Sequence, residues 1–188
     1  MFSILGLLLL SPMFLVVAVW IKLDSRGPVF YRQVRVGRHN RDFRIFKFRS
    51  MRVGSDKGSL VTIGGRDPRI TRSGYFIRKF KIDELPQLIN VLVGDMSFVG
   101  PRPEVRKYVD MYTPEQLHVL DVRPGITDEA SIAYRNENEL LATADDPERF
   151  YIETVMPDKL RINLQYVENY SFWGDIRLIF KTFVAVLH

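Results

Sequence analysis

The sequence predicts an α+β fold: an apolar membrane helix leading into a small cytoplasmic domain that combines a β-hairpin with amphipathic helices. Three observations carry this. Residues 2–21 hold no charge, two β-rich runs at 29–36 and 42–48 flank a polar turn, and apolar residues after residue 84 recur at helical spacing. At 188 residues the chain has length for one domain plus an anchor, which we divide at residues 1–23 and 24–188. Lys and Arg number 27 against 22 Asp and Glu, a net charge of +5. That excess suits anionic headgroups, phosphorylated substrates or nucleic acid. The absence of cysteine excludes disulfides and thiolate zinc sites. His39, His118 and His188 are scattered without metal-ligand spacing.

The uncharged run is about 20 residues, and at ~1.5 Å per residue it just spans a ~30 Å hydrocarbon core. No basic stretch precedes it and no small-x-small site follows, which argues against a cleaved signal peptide. Ser11-Pro12 lies in its middle. Proline removes one i→i−4 bond there, and serine is able to cap the freed backbone group. A kinked spanning helix and a re-entrant hairpin both fit. Trp20 and Lys22 mark the interface, and Arg26, Arg32, Arg35 and Arg38 place the following domain on the cytoplasmic side.

Gly27-Pro28 separates the membrane segment from the hairpin, whose turn is Gly37-Arg38-His39-Asn40-Arg41. Basic residues at 32, 35, 38, 41, 44 and 47 match neither strand nor helix period, so most are read as a solvated edge. Lys47 and Arg49 differ. They share strand parity with Phe43 and Ile45 and are candidates to point into a site. Residues 50–73, including Gly64-Gly65-Arg66-Asp67-Pro68-Arg69, read as a long loop, and a short amphipathic piece follows at 75–80.

The centre of the sequence is Asp83-Glu84-Leu85-Pro86-Gln87-Leu88-Ile89-Asn90. Pro86 fits the first turn of a helix, which puts Asp83 at or near its N-cap. The helix dipole would then keep that carboxylate ionised and favour a phosphate beside it. A purely structural cap explains the same residues. Beyond a turn at Gly94-Asp95, Gly100-Pro101-Arg102-Pro103-Glu104 fixes the backbone on both sides of Arg102, presenting a preorganised fork suited to phosphate. Alternatively Pro103-Glu104 starts a helix to about residue 120 and Arg102 is solvated. Arg123-Pro124-Gly125-Ile126-Thr127 is a second rigid turn. The polar run at 134–139 reads a sugar or base, or forms a helix surface. Asp145-Asp146-Pro147-Glu148 caps a helix, and residues 171–183 form an amphipathic helix that lies in the membrane interface or packs on the core.

Seven motifs come in one order: Lys47-Phe48-Arg49-Ser50-Met51, Asp67-Pro68-Arg69-Ile70-Thr71, Asp83-Glu84-Leu85-Pro86-Gln87, Asn90-Val91, Gly94-Asp95-Met96-Ser97, Val99-Gly100-Pro101-Arg102-Pro103-Glu104 and Pro124-Gly125-Ile126-Thr127. Together they resemble the bacterial sugar transferase family, the monotopic phosphoglycosyl transferases, over nearly the whole chain. The resemblance implies transfer of sugar-1-phosphate from a UDP-sugar to polyprenyl (undecaprenyl) phosphate, with release of UMP. It implies that Asp83 is the nucleophile of a phosphosugar-aspartyl intermediate, that Glu84 handles a proton or orients its neighbour, and that Mg2+ is required and touches Asp83. It also makes the Ser11-Pro12 segment a re-entrant helix-break-helix at the bacterial inner membrane, entering and leaving on the cytoplasmic face. The partners are then UDP-sugar, polyprenyl phosphate and the bilayer, and no nucleic acid.

The residues supply reasons. A carboxylate attacking an anionic diphosphate needs charge neutralisation, for which Lys47, Arg49, Arg78 and Arg102, with Pro103 fixing the last, are the candidates. Two departures stand out. The family commonly has a short basic stretch and an acid before the apolar run. After Thr127 relatives often continue with a Gly-Trp/Leu-Gln-Val-Asn-Gly-Arg-like stretch, where this chain has Asp128-Glu129-Ala130-Ser131-Ile132-Ala133-Tyr134-Arg135, so the sugar is not named by analogy. A membrane-anchored binding module and a tethered nucleotide-sugar hydrolase are the competing function classes.

Overall fold

The computed structural model describes residues 2–55 and 67–187. Helix α1 (Phe2–Asp24) leads to an antiparallel hairpin of β1 (Phe30–Val36) and β2 (Asp42–Phe48), then α2 (Arg72–Lys79) and α3 (Gln87–Val93). Strand β3 (Ser97–Val99) pairs in parallel with β4 (Gly125–Thr127). The C-terminal half holds α4 (Arg106–Val109), α5 (Glu129–Ala133), α6 (Glu137–Ala142), α7 (Pro147–Phe150), α8 (Met156–Asn169) and α9 (Phe172–Leu187). The α+β prediction holds. The glycine-rich residues 64–66 of the predicted loop lie outside the described residues; its flanks meet at a single bridge between Met51 and Ile70.

Helical structure continues from Phe2 to Asp24 with Pro12 inside it, so the predicted Ser11-Pro12 break falls within a single helix. The reason is local. Pro12 has no N–H for the Leu8 carbonyl, and the Ser11 hydroxyl donates to that same carbonyl at 2.7 Å. One face of α1 is shielded along its length, with Ser3, Val17 and Ile21 buried. Gly6 lies so close to α3 that a side chain there would meet Leu88 at 3.3 Å. Phe14 packs edge-on to Phe48 of β2 at 5.1 Å, and Trp20 packs on Phe76 of α2 at 5.4 Å. The opposite face exposes Leu5, Leu8, Leu9, Leu15, Val16, Val19 and Leu23. The helix is long and apolar enough to cross a membrane, yet the domain flanks it from end to end.

The C-terminus of α1 is fixed twice. Arg49 donates to the carbonyls of Ser25, Arg26 and Pro28 at 2.8, 2.6 and 2.7 Å, bracketing the turn that leads from α1 to β1. Asp24 accepts from the Ser73 amide at 2.9 Å and the Ser73 hydroxyl at 2.8 Å, capping the start of α2. Helix α2 also sits on the chain leaving β2: a Cβ at Gly74 would fall 1.9 Å from the Ser50 carbonyl oxygen, so only glycine fits.

Asn90 of α3 extends the sheet edge. Its side chain accepts from the Phe46 amide at 2.8 Å and donates to the Arg44 carbonyl at 2.9 Å, replacing a missing strand neighbour. The parallel β3–β4 pair brings Gly125 against Gly100, where a Cβ would lie 2.2 Å from the Gly100 nitrogen. That contact sets the path of Pro101-Arg102-Pro103. Behind it Val105, Tyr108, Leu141, Tyr151, Val155 and Leu160 form the core of the C-terminal half.

The alternative helix from residue 103 to about 120 is reduced to the single turn of α4 and a 3-10 segment at Gln116–Asp121. Pro114 disfavours helical geometry at Thr113 and separates the two. Of residues 134–139, the first three form the turn between α5 and α6 and the rest open α6, with Tyr134 donating to Asp158 and Lys159 pairing with Glu137. Asp146 caps α7, as predicted.

Candidate active site

Three elements converge on the acid pair. Strand β2 supplies Lys47, the 3-10 turn Ile82–Glu84 supplies Asp83 and Glu84, and the segment after β3 supplies Arg102. The turn is preceded by Lys81 in left-handed backbone geometry (φ 55°), an uncommon conformation for a residue with a side chain. It redirects the chain after α2, so that Asp83 points inward and is buried. Lys47 Nζ donates to Glu84 Oε1 at 3.0 Å. Arg102 grips Glu84 with both arms of its fork, Nη1 to Oε2 at 3.1 Å and Nη2 to Oε1. Glu84 therefore binds two cations, and it holds the arginine fork that the sequence had assigned to phosphate.

The neighbouring acid is the opposite case. Among the described residues, Oδ1 of Asp83 is buried without any hydrogen-bond partner. The sequence had placed Asp83 at or near a helix N-cap and kept it ionised. Helix α3 instead begins at Gln87 with Pro86 at its N-cap, and Asp83 lies outside its first turn. Burial and the adjacent Glu84 push the Asp83 carboxyl up, and Lys47, Arg78 and Lys81 only partly oppose this. For Glu84 burial also raises the carboxyl, but Arg102 and Lys47 outweigh it and hold it well below the usual range. Burial lowers the Lys47 ammonium to about 8 despite Glu84. Four cations act on two carboxylates, and the excess of two positive charges suits an anionic diphosphate.

Of the predicted site residues, the structure brings together Asp83, Glu84, Lys47 and Arg102, with Arg78 acting on Asp83 electrostatically. Arg49 is not among them. Its donors are spent on the end of α1. The Pro103 carbonyl accepts from Arg35 Nη1 at 3.1 Å, and Arg35 in turn pairs with Glu104, so Pro103 fixes the backbone beside Arg102. Ser11 and Pro12 stay within α1. Sequence reasoning passed over Lys81, named only within a basic run, and also Gln87 and Asp128. Gln87 is buried one turn after Asp83, with a side-chain nitrogen that has no partner among the described residues. Asp128 is buried, caps α5 through Ser131 at 2.8 Å, and its charge bears on Arg102. Spacing in the sequence gave no signal for either.

A divalent cation fits this donor set in one way. Among the described residues no three acidic or histidine side chains cluster, and Glu84 is already bound by two cations. Asp83 Oδ1 is the one free buried carboxylate oxygen of the acid pair, which matches a Mg2+ held by a single carboxylate together with substrate phosphates and water.

Comparison with known proteins is consistent with this geometry. A family model described as bacterial sugar transferase matches residues 1–188. The chain is 42% identical over 188 residues to the UDP-N-acetylgalactosamine-undecaprenyl-phosphate N-acetylgalactosaminephosphotransferase of Aeromonas hydrophila, covering 98% of this chain and 41% of that protein. It is 40% identical over 190 residues to the UDP-glucose:undecaprenyl-phosphate glucose-1-phosphate transferase of Xanthomonas campestris pv. campestris, covering 98% and 37%. An uncharacterized sugar transferase of Bacillus subtilis is 40% identical over 176 residues, covering 93% and 77%. The chain thus spans about two fifths of the length of the first two relatives. With a match over its full length and the acid pair set among cations, this chain belongs to the bacterial sugar transferase family.

Proposed function

We propose that the protein transfers sugar-1-phosphate from a UDP-sugar to polyprenyl phosphate through a covalent intermediate on Asp83. The observation that carries this is the unpartnered, buried Oδ1 of Asp83 beside a glutamate already bound by two cations. In the first step an Asp83 oxygen attacks the phosphorus bonded to the sugar. The P–O bond to the nucleotide breaks and UMP leaves. In the second step a polyprenyl phosphate oxygen attacks the same phosphorus, the acyl-phosphate bond breaks, and the Asp83 carboxylate is restored.

Attack requires the ionised carboxylate, which burial disfavours in the free enzyme. Lys47, Arg78 and Lys81 supply the opposing field. Glu84, held ionised by Lys47 and Arg102, is a weak base; it acts by orienting those cations. A bound Mg2+ would be held by Asp83 and supplies Lewis-acid neutralisation of the diphosphate.

The membrane reading is a re-entrant anchor on the cytoplasmic face of the inner membrane. It is supported by α1, whose shielded face touches the domain from Gly6 to Trp20, so that neither end stands away from it. Helix α9 adds Phe172, Trp173, Phe180 and Phe183, all exposed. A site at headgroup level lets a soluble donor and a lipid acceptor use one carboxylate in turn.

The test is intact-protein mass spectrometry after incubation with UDP-sugar and Mg2+ but no acceptor. A phosphosugar adduct that maps to Asp83, is discharged by polyprenyl phosphate and is missing in Asp83→Asn is the expected result. UMP release at full turnover without acceptor, and no added mass, would favour hydrolysis and defeat the proposal.

A further inference from the structure

We propose that the groove between α5 and α9 binds the phosphate headgroup and upper acyl chain of an anionic bilayer phospholipid, apart from the site where the acceptor reacts. The proposal rests on the interfacial reading of α9 and not on the covalent chemistry at Asp83.

The groove is open, about 450 Å³, and lined by Ile132, Arg135, Arg177, Phe180, Lys181 and Val184. Its two characters are separated by helical spacing. Arg177 and Lys181 lie four residues apart along α9, and so do Phe180 and Val184. Arg135, just beyond α5, adds a third cation to the same groove.

The charges are poorly met within the protein. Lys181 pairs with Glu129 at 3.3 Å, and among the described residues Arg135 and Arg177 have no carboxylate partner. The apolar part is equally unmet, with Phe180 69% and Val184 55% exposed. An exposed apolar wall beside unpaired guanidinium groups is the complement of an amphiphile with an anionic head. A free phosphate would leave Phe180 and Val184 in water. The acceptor is disfavoured because its phosphate must reach Asp83, and among the described residues Lys47 and Arg102 bond to Glu84 while Lys181 of the groove pairs with Glu129.

The experiment uses the full chain in mixed micelles offered phosphatidylglycerol, phosphatidylcholine and polyprenyl phosphate together, with retained lipid read by native mass spectrometry. Wild type is expected to retain one phosphatidylglycerol in preference to the other two. Arg135→Gln with Arg177→Gln is expected to lower that retention ~10- to 30-fold, since each cation near a lipid headgroup contributes ~1 kcal/mol. Val184→Trp, an exposed position, fills the groove without altering charge and should lower retention as well.

Transfer activity in detergent without phosphatidylglycerol should be unchanged in both variants, which separates failure here from failure of the chemistry. Loss of retention in the arginine variant alone would mean diffuse charge attraction and overturn the site. Preferential retention of polyprenyl phosphate, or parallel loss of transfer, would reassign the groove to the acceptor.

Discussion

Lys47 and Arg49 leave the same side of the chain two residues apart, and they build different regions. Lys47 turns to Glu84 at 3.0 Å and belongs to the candidate active site. Arg49, just past the strand, instead closes three carbonyls in the turn that follows α1. One cation sits beside a carboxylate that holds a second cation, and its charge is tuned. The other meets neutral carbonyls, and its fork is used as a bracket. Strand parity therefore decides which side a residue takes, while the partner it finds there depends on segments distant in sequence.

The sharpest way to break the comparison is to remove the shared anion of the first region. Glu84→Gln leaves Lys47 and Arg102 facing each other without a counter-charge. Transfer is expected to fall ~10²- to 10³-fold, the size seen when a preorganised electrostatic contact is lost. Initial rates of UMP release, with adduct yield measured in parallel, check this. Full activity in Glu84→Gln would mean that the glutamate does not position the site.

The corresponding change in the second region acts on stability. Arg49→Met removes three charge-assisted bonds to carbonyls and is expected to cost ~3 kcal/mol net. At ~2–4 °C per kcal/mol for a chain of this size, the melting midpoint should fall by ~6–12 °C. The folded fraction should keep its turnover within a few fold, because none of these bonds reaches the acid pair. Arg49→Lys should recover only part of the stability, since an ammonium cannot reproduce the planar fork. A large loss of turnover with no change in melting would place Arg49 back in the site.

The same contrast shows how far the sequence could be read. The two strands of the hairpin were legible to within a residue, because β-rich runs flank a polar turn. Asp83 and Glu84 were legible as a pair, and Lys47 and Arg102 as its cations. The environment that divides the two acids was not. It depends on the left-handed Lys81 and on β3 meeting β4, neither of which has a local signature strong enough to read. Ser11 illustrates the converse. Its capping of the backbone group freed by Pro12 was readable, and that bond lets helical structure continue past the proline. Asp128 was hidden because its burial follows from the docking of α5 and not from its neighbours in the chain.

The smallest effect separates the two cations by pH. Burial lowers Lys47 to about 8, whereas an unfolded lysine titrates near ~10.4. Between those values the unfolded chain binds more protons than the folded one, so this group makes stability rise with pH through that window. The rise should be present in wild type and absent in Lys47→Met, and urea melts at a series of pH values would measure the difference. Activity should move in the opposite sense. If the Lys47 ammonium steadies Glu84 and the diphosphate, wild-type turnover should decline as pH rises through about 8. Lys47→Arg, whose charge persists, should lack that decline even if its rate is lower throughout. A stability that rises while turnover declines is the signature of a buried amine used for its charge. Turnover that stays flat while stability rises would make Lys47 a structural residue like Arg49, and the contrast between the two regions would collapse.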